Sequence, residues 1–192
     1  MPANSTREYI IETANKLFEE RGYANVTVKD ICDACGITKT TFYYHIKSKE
    51  DIILDFYGSV VQTINKKLVS ILAADNYWEQ LMMLFEMLMD ETMKYGTDFM
   101  SQMFISNLRE DSGSFDMRYE LTDIAVTIVK KGQAAGQIGN QSDARDLYTA
   151  SAYTFSGMEI LWCIKGGAFD WKYEMRKAME ALYQVSDSLR LP

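Results

Sequence analysis

The side chains able to do chemistry are few, and most of them crowd one short run. His45 is the only histidine among 192 residues. It closes the stretch Lys39, Thr40, Thr41, Phe42, Tyr43, Tyr44, in which a cation, two hydroxyls and two phenols lie close together. A histidine-dependent triad has no second place to form, and no glycine-rich phosphate loop, nucleophile elbow or H-E-x-x-H pattern occurs. Adjacent carboxylates such as Asp90 with Glu91 and Glu110 with Asp111 read as solvated helix faces or loops. Cys32 and Cys35 form a C-x-x-C pair, but they fall where two short helices must meet, and a small buried hydrophobe serves there. A zinc site would need two further ligands, which one histidine and the distant Cys163 supply poorly. The expectation is no metal, no cofactor and no enzyme. A cation, a methyl-bearing hydroxyl and two phenols on one helix face suit base edges and phosphates instead.

Three residue pairs of one kind mark where the surrounding helices start. Ser5 with Glu8, Thr27 with Asp30 and Ser48 with Asp51 each precede an apolar-periodic run. The first predicts a helix over 5–21, with Tyr9, Ile10, Ala14, Leu17 and Phe18 on one stripe and Gly22 as its stop. The second opens a short helix ending near residue 35, where Gly36 supplies the tolerance of positive φ that a tight turn needs. Another short helix spans about 38–45, and the third pair begins a long one reaching about 72. Ile31, Cys35, Ile37, Phe42 and Ile46 then point inward against Leu17 and Phe18. Lys39, Thr40, Tyr43 and Tyr44 are left on the outer face. This is helix-turn-helix geometry.

Beyond residue 72 the apolar spacing stays at three and four, with little strand-like alternation. Helices are expected over 76–95, 97–109, 115–135, 142–165 and 171–189, separated by Gly96 and the loops EDSGS, GQIGNQS and GGAF. The fold class is therefore all-α, with about nine helices. A three-helix head over residues 1–49 precedes a larger helical domain over 50–192. Pro2 and Pro192 are the only prolines, so none interrupts a helix. No run of 18 apolar residues spans a membrane, and the opening MPANSTREY has no apolar core of signal type. Three cysteines make a poor disulfide framework, which points to the cytoplasm. The net charge of −7 alone argues against nucleic acid. From 27 to 49, however, Lys29, Lys39, Lys47 and Lys49 outnumber Asp30 and Asp33.

The stretches RGYANVTVKDI and CGITKTTFYYHIKSKED, with the long helix after them, closely resemble the TetR family of bacterial regulators over about residues 7–57. Farther on, the resemblance covers architecture only. It implies a ligand-responsive transcriptional regulator of repressor type, binding a palindromic double-stranded DNA operator as a homodimer. By position, Thr27 would cap the first helix of the motif beside a phosphate, and Lys39 and Thr40 would reach base edges. Tyr43 and His45 would hold the backbone, Tyr44 would do either, and Lys49 would meet a phosphate. Lys29, Thr38 and Thr41 complete the DNA-facing set. For His45, a half-buried ring closing the helix is an equal reading.

The resemblance also implies a small-molecule effector in a cavity of the larger domain. Methionine and phenylalanine crowd the two helices after residue 76 beyond what one stripe requires. Phe85, Met89, Met93, Met103, Phe104, Tyr119, Tyr153 and Trp162 are the expected lining, suited to an apolar molecule. A two-fold dimer would form through the last two helices, with Gly157, Leu161, Met179, Leu182, Tyr183 and Ser186 along the seam. The long fourth helix would carry the ligand's effect to the head. A protein-binding adaptor that has abandoned DNA is the rival reading, and the intact outer face (Lys39, Thr40, Tyr43, Lys49) argues against it.

Overall fold

The computed structural model describes residues 3–54, 56–111, 113–115 and 119–191, without the side chains at 3–5, 54, 56–59, 61, 62, 119 and 120. Among them lie nine α-helices: α1 (Ala3–Arg21), α2 (Val28–Cys35), α3 (Lys39–His45), α4 (Lys49–Leu54), α5 (Phe56–Leu72), α6 (Tyr77–Arg109), α7 (Tyr119–Ala134), α8 (Ala144–Ile164) and α9 (Trp171–Tyr183). The only extended pairing among the described residues is a single bridge between Ile138 and Val185. The all-α expectation holds. No described helix is long and apolar enough to cross a membrane.

Local chemistry sets most boundaries. Asp30 N donates to the Thr27 hydroxyl at 3.2 Å while Thr27 N donates to the Asp30 carboxylate at 2.8 Å, a reciprocal cap on α2. Ser48 and Asp51 make the same exchange at the start of α4, at 3.2 Å in each direction. Gly36 ends α2 at φ 67, and Gly96 interrupts α6 at φ 77, each where a break was expected. Differences arise elsewhere. The first helix already runs at Ala3, so Ser5 lies inside it, and its expected capping side chain is outside the described residues. Phe115 stands in a turn instead of opening a helix. The last helix stops at Tyr183, six residues short of the expected 189. Gln184 takes a left-handed conformation there, and Val185 leaves to pair with Ile138. Tertiary pairing overrides a periodicity that would have carried the helix on.

The chain forms two compact units, residues 1–59 with 91–114 and residues 60–90 with 115–192. The expected division at 49/50 is not the one observed, because the second half of α6 belongs with the head. Phe99 is fully buried with its ring 5.9 Å from both Phe18 and Tyr23, and Tyr95 packs on it at 4.8 Å. In the second unit α8 packs against α7 and α9. Trp171 stacks on Trp162 at 5.7 Å, and Arg176 on α9 pairs with Glu79 of α6.

Candidate nucleic-acid interface

The head is built around a dense apolar centre. Ile10, Ala14, Phe18, Ile31, Phe42 and Ile46 are buried, which rigidly seats α2 and α3 against α1. Cys32 is buried and Cys35 half-buried, and burial pushes both thiols up from their ordinary range. A thiol held protonated is a packing group, not a nucleophile. No group of three metal-ligating side chains occurs among the described residues.

The first turn of α3 is fixed by Thr38, whose hydroxyl accepts from Thr41 N at 3.1 Å and meets the Thr41 hydroxyl at 2.9 Å. Both side chains are thereby engaged in positioning the helix. Beyond them Lys39, Thr40, Tyr43 and Tyr44 stand exposed, Tyr44 at 81%. His45 is half-buried with its ring edge-on to Tyr44 at 4.9 Å. Lys29 is exposed but ion-paired to Asp33 at 2.6 Å. Thr27 is committed to its cap. Lys47, which the sequence reading left out of the contact set, stands exposed just after α3. Its charge and its place beside the helix were the available signal.

Lys49 departs from expectation. Its ammonium donates to the carbonyl oxygens of Tyr23 at 2.7 Å and Val26 at 2.8 Å, and lies 3.7 Å from the Tyr23 ring centroid. Burial lowers its pKa from the ordinary lysine value. The side chain ties α4 to the turn between α1 and α2 instead of reaching outward. The carbonyl oxygens of Tyr23 and Val26, flanking the short 3-10 turn Tyr23–Asn25, and the face of the Tyr23 ring together draw the cation inward.

Residues 10–56, which contain this whole arrangement, match the family model described as bacterial regulatory proteins, tetR family. Over these residues the chain is similar to the tetR family. It is 45% identical over 51 residues to the uncharacterized HTH-type transcriptional regulator YerO of Bacillus subtilis (strain 168), covering 27% of this chain and 18% of YerO. It is 32% identical over 72 residues to the HTH-type transcriptional repressor DhaR of Mycobacterium sp. (strain GP1), covering 35% of this chain and 36% of DhaR. The likeness thus spans well under half the length of either relative. Among solved structures, the tetR-family repressor FadR of Thermus thermophilus, in complex with lauroyl-CoA, matches with a TM-score of 0.68. At 22% identity over 97% of this chain and 98% of FadR, that likeness is one of fold.

The remaining expected positions divide. Met93, Met103 and Phe104 lie in the unit that holds the head, whereas Phe85, Met89, Tyr119, Tyr153 and Trp162 lie in the other. They do not form one lining within either unit. Tyr153 is 71% exposed on α8 and cannot line the interior of its unit, because it points away from the buried stripe of that helix. The Tyr119 side chain is outside the described residues. Phe85 and Trp162 are buried beside rings the sequence reading did not single out, Phe155 at 6.0 Å from Phe85 and Trp171 against Trp162. The three-and-four spacing from Ala144 to Trp162 could have placed Phe155 on that stripe.

Along the expected seam, Met179 and Tyr183 are wholly buried within their own chain. The Tyr183 hydroxyl bonds to that of Ser151 at 2.6 Å, so neither residue can meet a second copy. Gly157 and Leu161 are exposed, and Leu182 and Ser186 half-buried. Tyr153, Ile160 and Ile164 share the outer face of α8 with Gly157 and Leu161, and Ile164 is 72% exposed.

Proposed function

We propose that this protein is an effector-responsive transcriptional repressor, not an enzyme, acting in the cytoplasm on a palindromic operator. The observation that carries the reading is the outer face of α3, where Lys39, Thr40, Tyr43 and Tyr44 are exposed on a helix that a buried core holds still. A helix of seven residues reads only a few base pairs, so two copies related by a two-fold axis must act together. The apolar outer stripe of α8, with Tyr153, Gly157, Ile160, Leu161 and Ile164, is the surface through which the copies join. A small, largely apolar molecule bound in the second unit lowers operator affinity, by the roughly 5–150-fold typical of allosteric coupling.

The decisive experiment is fluorescence anisotropy on the DNA upstream of the protein's own gene. Saturable, salt-sensitive binding to a palindrome is expected. Lys39→Ala should change which base is preferred at one position of each half-site, at a cost of about 1–3 kcal/mol there. If no DNA is bound, or if Lys39→Ala leaves the preference intact, the assignment of α3 to base readout is wrong.

A further inference from the structure

Just beyond the Gly96 break, α6 carries Asp98, Ser101 and Gln102 at spacings of three and four, which set them side by side on one face. Together with Tyr23 and Ala24 of the turn between α1 and α2, they line a cleft of about 260 Å³. All five belong to the compact unit that carries α2 and α3. Tyr23 gives the cleft a firm wall. Its ring is buried, 5.0 Å from that of Phe18 and edge-on to Phe99 at 5.9 Å, and Phe99 directly follows Asp98. Ala24 and Asp98 are exposed, so the cleft is open to solvent.

The α6 side of this cleft is unanswered. Among the described residues Asp98, Ser101 and Gln102 make no side-chain hydrogen bond or ion pair, although Ser101 and Gln102 are half-buried. Lys94, one turn before Asp98, is paired with Glu91 at 2.7 Å. Lys49 faces two backbone carbonyls, and the neighbouring Glu50 balances its charge while accepting from the Tyr23 hydroxyl at 3.4 Å. The helix start after Gly96 adds about half a positive charge, which the full charge of Asp98 outweighs. What remains is a carboxylate, a hydroxyl and an amide carbonyl, three acceptors facing an apolar wall. A primary ammonium offers three donors and no acceptor. The same turn already holds one such group, that of Lys49. The volume lies below the roughly 300–1,000 Å³ of drug-sized sites, so the ligand is small.

We propose that this cleft binds a small aliphatic primary amine, its ammonium on Asp98, Ser101 and Gln102 and its alkyl stem against Tyr23 and Ala24. The site belongs to the head's own unit, not to the second unit in which the effector was placed above, and it stands without that reading. Ala24 sits in the turn that leads into α2, so occupancy bears on the helix-turn-helix directly. A neutral molecule of the same shape gains nothing from the carboxylate.

Butylammonium and butanol test this directly, since they differ in charge and hardly in shape. Each is titrated into the full chain at constant ionic strength, with the backbone amide resonances of nitrogen-15-labelled protein as the readout. Butylammonium should shift the amides of residues 23–24 and 98–102 saturably. It should bind about ten-fold more tightly than butanol, the size of one charge-assisted contact. Asp98→Asn should remove that preference, whereas Glu110→Gln, which takes an exposed charge from elsewhere, should leave it intact. Should Asp98→Asn fail to fold by circular dichroism, Gln102→Leu serves instead and should weaken butylammonium selectively. Equal binding of the two compounds, shifts that spread over the acidic surface without saturating, or a preference that survives both cleft substitutions overturns the proposal.

Discussion

Replacing Lys49 by methionine separates two roles that one lysine cannot fill together. Methionine keeps most of the apolar stem and removes the ammonium. Two hydrogen bonds from a charged donor are lost, at 2.7 and 2.8 Å to the Tyr23 and Val26 carbonyls, along with the contact 3.7 Å from the Tyr23 ring. Hydrogen bonds to charged groups contribute about 1.5–3 kcal/mol each, and a partly exposed cation–π contact about 0.5–1 kcal/mol. The ammonium has already lost part of its hydration, which is why its pKa is lowered. That cost reduces the sum, to about 2–3 kcal/mol of net destabilisation. For a chain of this size, that corresponds to a fall of roughly 4–12 °C in melting midpoint.

Operator affinity measured against salt then decides the role. A lysine on a phosphate contributes about 0.9 to the slope of log K against log salt, so a phosphate-bound Lys49 would cost about 0.9 per head when removed. The inward geometry predicts an unchanged slope, with affinity preserved at temperatures where the head stays folded, and a lowered midpoint in thermal or urea unfolding. A slope reduced by about 0.9 per head with an unmoved midpoint would refute the assignment.

Three other outcomes follow from particular contacts. Ile164→Glu places a charge on the outer stripe of α8 and should weaken self-association by about 3 kcal/mol, on the order of 100-fold, while each copy stays folded. Light scattering that still shows a stable dimer would remove that stripe from the interface. Gly139→Ala would put a Cβ 2.7 Å from the Gln184 backbone oxygen, where Gly139 N now donates at 3.1 Å, so urea unfolding should show a loss of about 1–3 kcal/mol; an unchanged midpoint would mean that the pairing of Ile138 with Val185 yields freely. Asp30 is held below the usual carboxylate range by its bonds to Thr27, chiefly the side-chain bond. Its stabilising contribution is present above the unfolded pKa of about 3.9 and is lost as pH falls through the lower folded value. The stability gap between the wild type and Asp30→Asn should therefore narrow below about pH 4, and a gap constant down to pH 2 would contradict the cap.

How much could be read in advance depended on how far apart the interacting residues lie. The helix-turn-helix boundaries were legible because each is written within four residues: Thr27 with Asp30, Gly36, Thr38 with Thr41, Ser48 with Asp51. The direction of Lys49 was not, because the carbonyls that draw it inward lie 23 and 26 residues earlier in a turn whose geometry the sequence does not state. Periodicity found a stripe on the last helix but not which side it faces, so Met179 and Tyr183 were read as interface when they pack inside. The end of α9 was hidden for the same reason: Val185 leaves the helix for Ile138, a partner 47 residues away. Met103 and Met89 look alike as sequence, yet one packs in the head's unit and the other does not.

The structure also changes how the charge of the head must be weighed. Four lysines between residues 27 and 49 suggested a modestly basic surface, but they are not equivalent. Lys29 shares its charge with Asp33, and Lys49 spends its own on backbone carbonyls. Lys39 and Lys47 are left exposed beside the reading face. Each phosphate contact matters through the counterions it releases, so a head with two such lysines has a small sequence-independent affinity. What it presents instead is Thr40, Tyr43 and Tyr44, groups that make hydrogen bonds and apolar contacts with bases and gain little from a backbone alone. On the proposed reading, affinity comes from joining two such heads, since the second binding event becomes intramolecular. If the copies join through the outer stripe of α8 as proposed, that stripe is as necessary to operator binding as α3 itself, and an effector that disturbed the spacing of the heads would remove the larger share of the binding energy without touching a single base contact.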